Sequence, residues 1–199
     1  MRPAMLLAAL ALAATPAAAE TIVSAYTDLD TGRDCSVLEM SEEGAGFASF
    51  VCNGYKGYPV LVFAGDLRES LFYGYPPEGD LPPAWEGFGS FNSTGPKIEW
   101  RIARDGDVEV PFATIHRWFV SSVDDPEKNI EVLAIAKVGQ VSAREGCTVG
   151  LVVASGNAKA NESARRVADE HARDFACGID ERIEIAGKVP LPDFYRQER

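Results

Sequence analysis

Residues 147–178 have the sequence CTVGLVVASGNAKANESARRVADEHARDFACG. Residues 147–154 are almost continuously apolar and predict a buried β-strand. Gly156 and Asn157 then predict a turn, with Asn157 as the N-cap of a helix. Across residues 158–176, apolar side chains recur at three- and four-residue spacing, which predicts one face of a long helix. The segment therefore predicts a strand followed by a C-terminal helix that packs back onto it.

The chain contains four cysteines, Cys35, Cys52, Cys147 and Cys177. The strand predicted above would be about 26 Å long, and the helix would be about 28 Å long. Because these lengths nearly match, a helix folded back onto the strand brings Cys177 next to Cys147. We therefore predict a Cys147–Cys177 disulfide and, by elimination, a Cys35–Cys52 disulfide. A four-thiolate zinc site is the alternative, but structural zinc ligands usually come in closely spaced pairs, which this sequence lacks.

Before residue 147, short stretches alternate between apolar and polar residues and are separated by glycine-containing turns. This alternation predicts β-strands with one buried face. The predicted strands are residues 21–26, 36–40, 47–52, 58–64, 67–73, 97–103, 108–121 and 130–138. We expect an α+β fold, an antiparallel β-sheet with one long C-terminal α-helix packed on it, stapled by disulfides. The tail from Ile183 is expected to add an edge strand before Pro190 and then to fray.

The two strands that flank residues 105–107 predict a hairpin with two possible registers. A three-residue connection places Ile102 opposite Val110, whereas a two-residue turn places Ile102 opposite Glu109. Because the first arrangement pairs apolar side chains, we predict the three-residue connection.

The N-terminus has the features of a secretory signal peptide. Arg2 is positively charged, residues 5–14 are continuously apolar, and the small residues 17–19 suit signal peptidase. The apolar run is about half the roughly 20 residues that a membrane-spanning helix needs. We predict a signal peptide at 1–19, a single domain at 20–199, a periplasmic or secreted location, and no integral membrane segment after cleavage. Disulfides are favoured in such oxidising compartments.

Composition and motifs argue against several classes of function. Nineteen Lys and Arg face thirty Asp and Glu, which gives a net charge of −11. An acidic surface repels phosphate backbones, so we expect no nucleic-acid partner. The sequence also lacks a Gly-x-Ser-x-Gly nucleophile motif, a phosphate-binding loop and a dinucleotide-binding fingerprint.

The chain has two histidines, His116 and His171. His116 belongs to an alternating strand beside aromatic residues, where a single histidine is usually a hydrogen-bonded core residue. An alternative is a small periplasmic hydrolase in which His116 acts as general base together with Glu99 or Asp107. A nucleophile made from Cys177 and His171 is disfavoured because exported cysteines are usually disulfide-bonded.

One stretch of sequence carries oxygen ligands at the spacing of a calcium loop. Asp28, Asp30, Asp34 and Glu39 match the first, third, seventh and twelfth positions of that loop. Gly32 falls one position too early, and the flanking residues predict strands where a calcium loop has helices. These departures favour an exposed turn, with a calcium-stabilised structural module as the alternative.

Residues 74–96 show no periodicity and are rich in proline and glycine. A loop of this length inside a compact domain is usually functional. Tyr75, Trp85 and Phe88 on a polyproline-like frame are candidates to stack on sugar rings or to bind an extended peptide. The alternative is that these rings cover an open face of the sheet.

Three stretches, IEWRI (98–102), PFATIHRW (111–118) and NAKANESARRVADEHARDFACG (157–178), occur together with the signal peptide. In these features the chain resembles a group of small exported alphaproteobacterial proteins of unassigned function. The resemblance implies a periplasmic or secreted location in a Gram-negative cell, and it implies no catalytic residue.

From these observations we expect an exported, disulfide-stabilised, non-catalytic binding or accessory domain. The expected partner is a periplasmic protein, a peptide or a glycan. No cofactor is expected, with calcium as the alternative described above.

Overall fold

The computed structural model describes residues 20–41, 46–77 and 84–198. The predicted signal peptide, residues 1–19, lies outside the described part of the chain. Strands account for 54% of the structure and helices for 9%. The strands are β1 (Thr21–Asp28), β2 (Cys35–Met40), β3 (Phe47–Asn53), β4 (Pro59–Gly65), β5 (Arg68–Tyr73), β6 (Ala84–Phe88), β7 (Asn92–Asp105), β8 (Val108–Ser121), β9 (Asn129–Lys137), β10 (Thr148–Val153), β11 (Ile183–Ile185) and β12 (Phe194–Glu198). The α-helix is α1 (Ala160–His171).

The larger sheet has six strands in the order β1-β7-β8-β9-β10-β11. Neighbouring strands are antiparallel except for β10 and β11, which run parallel. The helix α1 connects these two strands. Parallel neighbours need such a crossover because the chain must return to the end of the sheet at which the first strand began before it can start the second.

A second layer packs face to face against the six-stranded sheet. It consists of a four-stranded antiparallel sheet, β2-β3-β4-β5, and a two-stranded ribbon of β6 and β12. The backbone N–H of Glu86 donates to the hydroxyl of Ser70 at 3.0 Å, which links the ribbon to β5. The core between the layers is built around Val60, Val62, Tyr73, Ile98, Trp100 and Ile102.

The predicted α+β fold with one long C-terminal helix is wrong. The protein is mostly β, and its α-helix has 12 residues. Ala172 and Phe175 do bury their side chains together with α1 against the six-stranded sheet, but they lie in the segment after the helix. Asn157 does not occupy the N-cap position, which belongs to Lys159. The apolar periodicity therefore predicts correctly which side chains are buried, but the burial continues past the end of the helix.

The protein contains two disulfides, Cys35–Cys52 and Cys147–Cys177, the pairing that the sequence predicts. Cys35 and Cys52 lie directly opposite each other on β2 and β3. Cys147 immediately precedes β10, and Cys177 follows α1, with their Cα atoms 5.8 Å apart. The chain thus returns from the end of β10 to Cys147 through a shorter helix and the turn that follows it, where one long helix was predicted.

The hairpin of β7 and β8 differs from the predicted register. Its turn has two residues, Gly106 and Asp107, and Ile102 lies opposite Pro111. Gly106 has a φ of 57°, a conformation that glycine adopts without strain and that two-residue hairpin turns require. Turn geometry therefore decides the register here, and a register shift after Arg101 restores the burial of the apolar face.

Two further expectations about local structure need correction. The stretch 74–96, predicted to lack periodic structure, contains β6 and the first residues of β7, while residues 78–83 lie outside the described part. The tail forms the edge strand β11, and it then forms β12, where fraying was expected. No helix among the described residues is long and apolar enough to cross a membrane.

Candidate functional site

His116 lies in β8 on the face that the six-stranded sheet presents to the second layer, and it is fully buried. Its Nε2 donates to the carbonyl of Gly95 at 2.6 Å, and its Nδ1 accepts from the hydroxyl of Tyr73 at 2.8 Å. Burial lowers the pKa of His116 to about 4, although the Gly95 carbonyl favours the charged form. His116 is therefore a neutral, hydrogen-bonded core residue at neutral pH.

The structure does not bring the carboxylates of the alternative hydrolase to His116. Ile98 is the register partner of His116, so these two side chains share one face of the sheet. Glu99, the next residue along β7, therefore points to the opposite face. Asp107 lies in the exposed hairpin turn. General base catalysis needs the base and its carboxylate on the same side of a substrate, which this arrangement does not provide.

Glu99 instead belongs to a network of ion pairs between β7 and α1. It accepts hydrogen bonds from Arg165 Nε at 2.7 Å and from the Ser24 hydroxyl at 2.6 Å. Arg101 donates two hydrogen bonds to Asp169, at 2.8 and 2.7 Å. Burial alone would raise the pKa of Glu99, but the hydrogen bonds from Arg165 and Ser24 outweigh it and lower that pKa. This network attaches the helix to the sheet.

The four residues of the calcium hypothesis do not form a common site among the described residues. Asp28 forms an ion pair with Lys97 at 2.7 Å. Asp30 accepts a hydrogen bond from the backbone two residues later, and Asp34 pairs with the preceding arginine. Glu39 lies in β2 with an exposed side chain. Within residues 20–41, 46–77 and 84–198, no three His, Cys, Asp or Glu side chains are arranged to hold a metal ion.

The three aromatic residues predicted to bind a ligand do not form one surface. The hydroxyl of Tyr75 donates to the carbonyl of Gly57, before the start of β4, at 3.1 Å. Phe88 is only 2% exposed and packs into the core. Trp85 lies on the outer face of the second layer, with its ring centroid 4.3 Å from that of Phe63. Of the three, Trp85 has a side chain on the wall of a groove in the outer face of the second layer.

The groove lies on the outer face of the second layer, where strand register places the side chains that line it in rows. The partners Glu39, Ser49, Phe63 and Ser70 form one row across β2, β3, β4 and β5. The partners Phe47, Gly65 and Arg68 form the next row. The ribbon contributes Trp85, Gly87, Tyr195 and Gln197 from β6 and β12. These rows line a groove of about 650 Å³, a volume typical of small-molecule sites.

Aromatic rings with open faces line this groove. Phe47 is 49% exposed and Tyr195 is 58% exposed. A Cβ atom at Gly89 would lie 2.5 Å from Cε2 of Tyr195, so the ring rests directly on the backbone of that glycine. The backbone of Gly89 thus supports one side of the Tyr195 ring, while much of the ring stays accessible to solvent. A supported ring with an open face is suited to stacking on a ligand.

Polar groups without partners lie beside these rings. Ser49 lines the groove, and although it is only 6% exposed, its hydroxyl has no hydrogen-bond partner among the described residues. The side chains of Gln197 and Glu39 also line the groove and form no hydrogen bond with any described residue. The Ser49 hydroxyl is not among the fully buried unpartnered atoms of the described residues, so it still reaches the solvent of the groove and is available to a ligand.

The single basic side chain that lines the groove in the described structure is already engaged. Arg68 Nε donates to the carbonyl of Gly89 at 2.8 Å, and its guanidinium pairs with Asp66. The guanidinium also lies over the ring of Phe91, 5.0 Å from its centroid. Glu39 lines the same groove without an ion-pair partner among the described residues, so the groove carries an uncompensated negative charge.

A second depression continues the groove past Arg68. It has a volume of about 880 Å³ and shares Phe47 and Gly65 with the groove. Its wall includes the exposed side chains of Leu67 and Phe91. The two depressions together provide a path for an extended ligand.

Of the groove residues, Trp85 was predicted to bind a ligand and Glu39 was predicted only as a calcium ligand, whereas the others were not predicted. Phe63 and Ser49 belong to strands whose alternation predicts one buried face without showing what covers the other face. Tyr195 and Gln197 belong to a tail that was expected to fray. No periodic signal was present there, because the less exposed positions of residues 194–197 are Phe194 and Arg196, one apolar and one charged.

No protein-family model, curated protein or solved structure matches this chain.

Proposed function

We propose that the protein is an exported binding domain whose ligand occupies the groove on the outer face of the second layer. The predicted signal peptide and the two disulfides support export. The observation that carries the binding function is the combination of open aromatic faces with the unpartnered hydroxyl of Ser49 in one groove. A non-catalytic role is consistent with the separation of His116 from Glu99 and Asp107.

The groove can be tested with a neutral apolar dye before any natural ligand is known. N-phenyl-1-naphthylamine fluoresces strongly when it leaves water for an apolar site. The wild-type protein is expected to bind it saturably, with one site per chain, because the groove has an apolar wall of Phe47, Phe63 and Trp85.

A groove-filling variant and a matched control give this test its specificity. A Cβ atom at Gly65 meets only Phe47 and Gly46, no closer than 3.4 Å, so Gly65→Trp places a large side chain in the groove without a backbone clash. Gly187→Trp makes the same substitution in an exposed position, where the nearest atom lies 3.7 Å away. Gly65→Trp is expected to abolish saturable dye binding, and Gly187→Trp is expected to retain it. Equal binding by both variants, or no binding by the wild-type protein, refutes the proposal.

A further inference from the structure

We infer that the groove binds an uncharged oligosaccharide, with the ring of Tyr195 stacking on a sugar and Ser49, Gln197 and Glu39 hydrogen-bonding its hydroxyls. This inference rests on the proposed function, since it names the chemistry of the ligand that the groove would take. Three features of the groove carry it: the supported aromatic ring, the unpartnered polar side chains, and the balance of charge.

The ring of Tyr195 suits the flat C–H face of a pyranose. The backbone of Gly89 supports one side of the ring, and the ring is 58% exposed. The register partner of Tyr195 on β6 is Gly87, where a Cβ atom would lie 2.8 Å from the carbonyl oxygen of Glu69, so no side chain at that position covers the ring. Trp85 lies diagonally across the ribbon from Tyr195, because Trp85 pairs with Gln197 and Gly87 pairs with Tyr195. The ribbon therefore carries two aromatic side chains on one face, at the spacing of neighbouring cross-strand positions.

The unpartnered polar groups require a ligand that carries hydroxyls. An apolar ligand that covers Ser49 leaves its hydroxyl without a hydrogen bond, so such a ligand binds more weakly than one of the same size that pairs with it. A sugar hydroxyl can both donate and accept, so it can pair with the Ser49 hydroxyl, the Gln197 amide and the Glu39 carboxylate. Sites built around such hydrogen bonds discriminate strongly against ligands that lack the matching polar group.

The charge of the groove excludes acidic sugars. Arg68 is engaged by Gly89 and Asp66, while the carboxylate of Glu39 contributes negative charge. The whole chain carries a net charge of −11. Uronic, sulfated or phosphorylated glycans would be repelled by this potential. An uncharged sugar is not repelled.

The length of the path favours an oligosaccharide over a monosaccharide. The groove of about 650 Å³ continues into the second depression of about 880 Å³ past Gly65 and Arg68. A peptide suits this path less well, because the path runs across the face of the strands. Main-chain recognition of peptides uses the free edge of a sheet, where unpaired backbone groups are available.

The test is displacement of the dye by a panel of linear sugars, followed by calorimetric titration. The uncharged probes are cellohexaose, maltohexaose, laminarihexaose and chitohexaose, and the charged comparison is hexagalacturonate. At least one uncharged hexasaccharide is expected to displace the dye, and hexagalacturonate is expected not to. A Leu-Lys repeat peptide serves as the probe for a cationic apolar peptide.

Variants then assign the roles of individual residues. Tyr195→Ala is expected to weaken sugar binding about 5- to 10-fold, and Tyr195→Phe, which keeps the ring, to change it less than about 2-fold. Ser49→Ala removes no hydrogen bond within the described protein, so it should fold normally and bind about 5-fold more weakly. Tyr26→Ala is the matched control, because Tyr26 is a 52% exposed tyrosine on the helix side of the molecule, and it should bind like the wild type.

The possible outcomes separate this inference from the proposed function. If the dye binds in the groove but no uncharged hexasaccharide binds at millimolar concentration, the sugar assignment is wrong and the binding function stands. Preferential binding of hexagalacturonate or of the peptide also overturns the sugar assignment. If neither the dye nor any sugar binds, both proposals fail. Equal sugar affinity of Tyr195→Ala and the wild type overturns the proposed stacking role.

Discussion

The hydroxyl of Tyr73 donates a hydrogen bond of 2.8 Å to Nδ1 of His116, and this contact joins the two layers of the protein across their core. Tyr73 is 4% exposed and His116 is fully buried. The other ring nitrogen of His116 donates to Gly95, so the imidazole is satisfied on both sides. This arrangement leads to two predictions about stability.

Tyr73→Phe is expected to lower the free energy of unfolding by about 1–3 kcal/mol, because it leaves the buried Nδ1 of His116 without a donor. Urea denaturation measures the change. Tyr75→Phe is the matched control: its hydroxyl bonds to Gly57 at an exposed position, and its loss should cost less than about 1 kcal/mol. A Tyr73→Phe variant as stable as the wild type would show that the hydrogen bond between the layers contributes nothing.

The protein is expected to lose stability in mild acid through His116. Its folded-state pKa of about 4 lies below the ordinary value of 6.5, so the unfolded chain binds the proton first as the pH falls. The contribution of the neutral imidazole is therefore complete above about pH 6.5 and is lost as the pH falls towards about 4. Between about pH 6 and pH 5 the expected loss is roughly 1 kcal/mol per pH unit. Melting temperatures across this range measure it.

His116→Gln should flatten this pH dependence, whatever its effect on absolute stability. His171→Gln should leave the dependence unchanged, because His171 is exposed at the end of α1. The same slope in the His116→Gln variant and the wild type would assign the acid sensitivity to other groups.

The ion pair between Glu99 and Arg165 is expected to hold α1 on the sheet. Glu99→Gln should destabilise the protein by about 1–3 kcal/mol, because it weakens charge-assisted hydrogen bonds to a side chain that is only 10% exposed. Glu131→Gln changes a more exposed pair, with Arg117, and should cost less than about 1 kcal/mol. Chemical denaturation of both variants measures the difference, and equal costs would contradict this role of the network.

The acid dependence of that pair has a defined sign. The pKa of Glu99 is lowered in the folded protein, so its contribution is present above the unfolded pKa and is lost as the pH falls through the folded pKa. The difference in stability between Glu99→Gln and the wild type should therefore shrink as the pH falls through the lowered pKa of Glu99.

Removal of the Cys147–Cys177 disulfide is expected to destabilise the protein without closing or opening the groove. The double variant Cys147→Ala/Cys177→Ala should lose about 3–4 kcal/mol, the loop-entropy value for a closed loop of this length. Dye binding at a temperature where the variant is folded should remain unchanged, because the bridge lies on the helix side of the six-stranded sheet. A variant that is folded but binds no dye would contradict the separation of bridge and groove.

Local alternation predicted most strands because each strand carries its own pattern. The prediction of a strand at 108–121 coincides with β8, Val108–Ser121. The distribution of strands between two layers was not predictable in this way. Ile98 and Glu99 show why: both are buried, one against the second layer and the other against α1. Alternation indicates which side of a strand is apolar, but not which element covers each side.

Of the candidate site, the sequence predicted Trp85 as a binding residue and Glu39 as a calcium ligand. Ser49 and Phe63 carry no signal in sequence, because their roles depend on register across three strands and on a ribbon that arrives from the end of the chain. Apolar spacing predicted too long a helix for a related reason. Ala172 and Phe175 are buried like helical residues although the backbone has already left the helix.

The position of β12 also has a consequence for biosynthesis. During translation from the N-terminus, β2 to β5 leave the ribosome long before residues 194–198, which supply the last wall of the groove. A nascent chain therefore cannot complete the groove until nearly all of this sequence has emerged. Truncation before Phe194 would remove Tyr195 from the groove. It would also remove the ring of Phe194, which packs against that of Phe88 in the core.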